Sequence, residues 1–243
     1  MFGVGLIAGL VDAIAGGGGL ITVPALLGLG LSPQLALGTN KLQSTFGSVS
    51  AAWHYRQAGL VTLRECRIGV VATLVGAVLG AVSVQWLDPD VLRWLIPWLL
   101  AGVIVYTVLR PKAGEVKSAP RFPPTGVLIG LGLVLGFYDG FLGPGTGSFW
   151  TLSLISLLGL HFLQATATTK VMNATSNLAS LVVFVWGGHV AWLIGLVMGA
   201  GQLVGGRIGA RLAVRGGTKF VRPVFLTVVV VLLVRLLYVQ WRS

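Results

Sequence analysis

The chain has 243 residues, of which 55% are hydrophobic and 9% charged, and its mean hydropathy is +0.91. A soluble domain carries roughly 25% charged residues, so the composition excludes a water-soluble enzyme. The net charge is +11, but the basic residues sit between hydrophobic runs, where they read as membrane topology and not as a nucleic-acid surface.

The first element, residues 1–30, is apolar and broken by Gly16-Gly17-Gly18-Gly19. Its arms of about 15 and 12 residues would reach only ~22 and ~18 Å, short of a ~30 Å hydrocarbon core. A re-entrant hairpin with the Gly run at its tip is therefore expected, with a new helix from Leu20. Met1-Phe2-Gly3 lacks a basic n-region, so no cleaved leader is expected. Three longer segments follow, near 33–57, 64–87 and 89–110, and then a charged connector, 111–121. Residues 122–142 would extend ~31 Å as a helix, leaving a spanning or a re-entrant element open. They end at Gly143-Pro144-Gly145-Thr146-Gly147, after which a helix from Ser148 is expected. Uncharged stretches run from Arg67 to Asp88, from Asp139 to Lys170 and from Lys170 to Arg207, each long enough for a membrane span.

The halves repeat each other. A shift of 127 residues carries Gly9, Asp12, Gly16 and Gly18 onto Gly136, Asp139, Gly143 and Gly145. A shift of 129 then carries Ala36, Thr39 and Lys41 onto Ala165, Thr168 and Lys170, Gly76 and Gly80 onto Gly205 and Gly209, and Arg93 onto Arg222. The charges differ between copies. In the first, the loop after the second segment is basic (Arg56, Arg64, Arg67) and the next is acidic (Asp88, Asp90). In the second, the region of Gly187-Gly188-His189 is uncharged, while Arg207, Arg211, Arg215 and Lys219 crowd the later connection. The positive-inside rule places equivalent loops on opposite sides, so the repeats are inverted. The expected fold is an all-α polytopic membrane protein with two inverted-topology repeats, each a Gly-broken helix pair, re-entrant or discontinuous, plus three transmembrane helices. The units are residues 1–110, a cytoplasmic connector 111–121, and residues 122–243.

Helices starting at the Gly runs would offer free N–H groups to an anion; the alternative is that these glycines only permit close packing. No Gly-Lys-Ser/Thr follows, which argues against a nucleotide loop. Asp12 and Asp139 precede the breaks, and Lys41 and Lys170 begin the next helices. Ionisable groups at membrane depth are functional candidates, although Lys and Asp pairs could simply tie the repeats together. Ser44 and Ser48 follow Lys41 at i+3 and i+7, as Asn173 and Asn177 follow Lys170, so each helix has one polar face. Arg207, Arg211 and Arg215 read as snorkelling topology residues. The glycines at every fourth position, Gly76 and Gly80, and Gly201, Gly205 and Gly209, read as helix packing. Trp53, Trp86, Trp94, Trp98, Trp186, Trp192 and Trp241 read mostly as interfacial anchors. Cys66 is single, and His54, His161 and His189 lack ligand spacing, so no metal site is expected.

The run Gly9-Leu10-Val11-Asp12-Ala13-Ile14-Ala15-Gly16-Gly17-Gly18-Gly19-Leu20-Ile21-Thr22-Val23-Pro24, with Ala36-Leu37-Gly38-Thr39-Asn40-Lys41, resembles the TauE/SafE sulfite exporter family, also called the toluene-sulfonate uptake permease family. Gly136 to Gly147 and Ala165 to Lys170 are similar to its second repeat. The resemblance implies a bacterial inner-membrane permease for small sulfur-containing or organic anions, such as sulfite, sulfonates or sulfoacetate, with no cofactor.

The expected site lies where the two tips meet. Backbone N–H groups of Gly18, Gly19, Gly145 and Gly147 would bind the anion, with Thr39, Asn40, Ser44, Thr168, Thr169 and Asn173 around it. Lys41 and Lys170 would supply charge, balanced by Asp12 and Asp139, whose protonation would couple transport to protons. A passive anion channel is the nearest rival. An intramembrane aspartyl protease using Asp12 and Asp139 is more distant, since Gly9-Leu10-Val11-Asp12 is not Gly-x-Gly-Asp. The expected partners are the anion and the lipid bilayer, with a monomer or a symmetric homodimer both open.

Overall fold

The computed structural model describes residues 1–92, 94–96, 98 and 120–242, giving helical backbone alone beyond 217 except at Pro223. Most of the expected segment 89–110 and of the connector 111–121 lies outside the described residues, as do Arg93 and the side chains of Lys219, Arg222 and Trp241. The helices are α1 (Phe2–Ala15), α2 (Gly18–Gly28), α3 (Pro33–Gln57), α4 (Leu63–Gln85), α5 (Pro124–Phe141), α6 (Thr146–Leu158), α7 (Phe162–Trp186) and α8 (Trp192–Arg242), the last interrupted at Gly217. No strand occurs among the described residues.

Among the described residues, three stretches, α4, α5 and Trp192–Gly217 of α8, are long and apolar enough to cross a membrane. Helices α3 and α7 have 25 residues each, a length of about 37 Å, and are less apolar because each carries a polar stripe. That stripe faces inward: Lys41, Gln43, Ser48, Thr169, Lys170 and Ser176 are fully buried, while Val71, Leu79, Val134, Val182 and Leu193 are exposed. A hydrogen-bonded polar interior inside an apolar outer face is the arrangement a bilayer favours. Trp86 and Trp186, at the ends of α4 and α7, are 86% and 91% exposed, as headgroup-level anchors would be, whereas Trp150 is buried.

Both Gly runs turn the chain. Gly16 (φ 75) ends α1 and Gly145 (φ 82) precedes α6, both in the left-handed region that disfavours a side chain. The helices after the breaks start at Gly18 and Thr146, two residues earlier than Leu20 and Ser148. In the first half the physical reason is a cap, since the Gly18 N–H donates to Asp12 Oδ1 at 3.2 Å. In the second, the Thr146 hydroxyl donates to Gly143 O at 2.7 Å and closes the turn. The arms then return. Val4 of α1 packs with Leu26, Leu27 and Leu31 in one apolar cluster with Met198. Arg121 N–H, just before α5, donates to Leu157 O near the end of α6 at 3.0 Å.

Helix α1 lies along α8, and α5 lies along α4. Glycines allow these backbones to touch. A Cβ on Gly205 would sit 2.0 Å from Leu6 O, and one on Gly76 would sit 2.4 Å from Leu133 O. The every-fourth-residue glycines are therefore packing residues. Helices α3 and α8 run side by side in one direction, with Leu42 at Gly195, Phe46 at Gly199 and Ser50 bonded to Leu203 O. Their ends share a groove lined by Trp53, His54, Gln57, Arg207 and Arg211. At the other end Gln34 donates to Leu87 O, and His189 bonds Gln85.

Candidate functional site

The two tips meet in the interior. A Cβ on Gly16 would lie 2.6 Å from Gly147 C, and one on Gly19 would lie 2.9 Å from Pro144 Cα. Between them is a polar cavity of about 20 Å³, bordered by Asp12, Gly16, Gly19, Asn40, Ser44, Asp139, Gly143, Gly145, Thr146, Gly147, Asn173 and Asn177. That volume admits a water molecule but no oxyanion, so the tips must part before a larger ligand enters.

Each half lends its lysine to the other half's aspartate. Lys41 Nζ on α3 lies 2.7 Å from Asp139 Oδ1 on α5, and it also donates to the Asp139 main-chain oxygen. Lys170 Nζ on α7 lies 2.9 Å from Asp12 Oδ2 on α1. Both ammonium groups are fully buried. The fold makes this pairing: each Asp lies near the end of the first arm of a hairpin, and each Lys is the ninth residue of a long helix that brings it to the opposite half. Ser48 and Asn177, 129 positions apart in the chain, are bonded to one another at 3.4 Å where α3 and α7 cross. A second matched pair ties each short helix to its long neighbour, with Thr22 on Asn40 at 2.5 Å and Thr151 on Thr169 at 3.1 Å.

Of the residues expected at the site, Asp12, Gly19, Asn40, Ser44, Asp139, Gly145, Gly147 and Asn173 border the cavity, and Lys41 and Lys170 reach it through their carboxylates. The others stand elsewhere. The Gly18 N–H is occupied by Asp12. Thr39 accepts from Ala191 N–H at the start of α8 and donates to Leu35 O, because its hydroxyl leaves α3 on the side away from the tips. Thr169 faces Thr151, and Thr168, the residue before it on the helix, is half-buried and does not border the cavity. Sequence reasoning missed Ser176, whose hydroxyl donates to Asp139 Oδ2. Its i+6 distance from Lys170 falls outside the i, i+3, i+7 spacing by which the polar face was read. The buried Asn173 Oδ1 has no partner among the described residues, as suits a group beside water or ligand.

Helices long and apolar enough to cross a bilayer, around a hydrogen-bonded polar interior, define a helical membrane protein. The sulfite exporter TauE/SafE family model matches residues 1–236. The chain is 42% identical over 238 residues to the "Probable membrane transporter protein YfcA" of Escherichia coli (strain K12), covering 98% of this chain and 88% of that one. It is 43% identical to the "Probable membrane transporter protein ORF9" of a Sinorhizobium species, covering 98% and 91%. To a "Probable membrane transporter protein" of Haemophilus influenzae it is 40% identical, covering 99% and 94%. No solved structure matches. The chain belongs to the TauE/SafE sulfite exporter family and is a membrane transporter.

Proposed function

We propose that this transporter carries small anions, with sulfite, sulfonates and related organic anions as its substrate class, across the bacterial inner membrane by a proton-coupled secondary mechanism. The two halves act as inverted repeats, their hairpins re-entrant, with the connector 111–121 and the arginine-rich groove on the cytoplasmic side. One observation carries this reading: the crossed Lys41–Asp139 and Lys170–Asp12 pairs around a polar cavity where the two tips meet. Two ammonium and two carboxylate groups sum to no net charge. A proton on one carboxylate therefore frees one ammonium for a monoanion, and backbone N–H groups of Gly19, Gly145 and Gly147 are the donors for its oxygens. The apolar outer face meets lipid, and a symmetric homodimer would use part of it.

Counterflow tests the mechanism. Vesicles loaded with unlabelled sulfite are expected to take up labelled sulfite faster than empty ones, and uptake is expected to saturate. Flux without either property would mark a passive channel.

A further inference from the structure

The two Asp–Lys pairs are equivalent in the repeat but have different surroundings. The Asp139 side chain is 5% exposed and that of Asp12 is 18% exposed. Both Asp139 oxygens are held by side-chain donors, Oδ1 by Lys41 and Oδ2 by the Ser176 hydroxyl. Among the described residues, Asp12 has Lys170 on Oδ2 and the Gly18 N–H on Oδ1 at 3.2 Å.

The difference is written in the covalent structure. Under the 129-residue shift that aligns Lys41 with Lys170, Ser176 corresponds to Gly47. Gly47 has no hydroxyl to offer, and the space of its missing side chain is taken by Gln202, whose Oε1 lies 2.0 Å from where a Cβ would be. This difference in residue type is present in every conformation of the protein.

From this we infer that Asp12 is the single proton-exchanging carboxylate, and that Asp139, Lys41 and Ser176 form a fixed tie between the halves. The inference rests on the transport reading and narrows it to one coupling site. A proton from water bonds to the Asp12 carboxylate, Lys170 keeps its charge and loses its counter-ion, and the anion takes that place. One proton and one monoanion then move with no net charge. The ionisable groups facing Asp12 are Lys170 from α7, Tyr55 from α3, whose hydroxyl donates to Ala13 O, and Asp139 across the cavity from α5. Helix α8 meets α1 through Met198, Gln202, Gly205 and Gly209, none of them ionisable.

The test is dicyclohexylcarbodiimide, which modifies protonated carboxyl groups in apolar surroundings, applied to the reconstituted protein with adducts located by peptide mass spectrometry. The expected result is label on Asp12 that increases as the pH is lowered, with none above background on Asp139. Ser176→Ala is expected to bring label to Asp139. Label on both carboxylates of the unmodified sequence, on Asp139 alone or on neither overturns the inference. Labelling does not require flux, so Asp12-selective label without anion transport would defeat the transport reading alone.

Discussion

Gly205→Leu and Gly80→Leu are each expected to remove folded protein from the membrane. At Gly205 even a Cβ would stand 2.0 Å from Leu6 O, and at Gly80 it would stand 2.0 Å from Phe137 O. These are backbone atoms, so no rotamer change relieves the clash, and the hairpin must leave its partner helix. Overpacking a core costs about 1–3 kcal/mol where side chains can give way, and the cost here lies at or above the top of that range. Gly130→Ala, on an exposed face of α5 with nothing within 4 Å of its Cβ, is the control and should gain up to about 1 kcal/mol from helix propensity. Monodispersity in detergent and thermal unfolding distinguish these outcomes.

Lys41→Met has the next largest effect, because it leaves the Asp139 carboxylate buried with no counter-charge. Removing one partner of a buried ion pair costs about 3–5 kcal/mol, whereas replacing both by apolar groups is often near neutral. Lys41→Met is thus expected to lower the unfolding temperature markedly, and Lys41→Met with Asp139→Leu to recover most of it. Lys170→Met should cost less, since the Asp12 side chain is 18% exposed against 5% for Asp139. Equal losses for the two single substitutions would contradict the asymmetry of the pairs.

Much of this was legible in the sequence. The Gly runs marked both breaks, because few other residues accept the left-handed backbone found at Gly16 and Gly145. The spacing of Gly76 and Gly80, and of Gly205 and Gly209, marked the helix contacts. Charge within apolar segments singled out Asp12, Asp139, Lys41 and Lys170, which the structure joins in two ion pairs. Sequence alone left unsettled which lysine meets which aspartate, since pairing within a half and pairing across halves satisfy the same spacing. The direction of Thr39 was equally hidden, because a hydroxyl near Lys41 can serve the site or cap a neighbouring helix, and here it accepts from Ala191 N–H. The start of α2 at Gly18 depended on a carboxylate reaching past the break, a tertiary contact that helix propensity does not encode.

The most direct test of anion transport at the repeat junction is flux of radiolabelled sulfite and sulfonates into proteoliposomes under an imposed pH gradient. Lys41→Ala and Lys170→Ala proteins, verified as inserted, run in parallel. Saturable flux that follows the gradient and is lost in both variants is the expected result. Absence of flux across a panel of small anions, with the unmodified protein intact and correctly inserted, would contradict it.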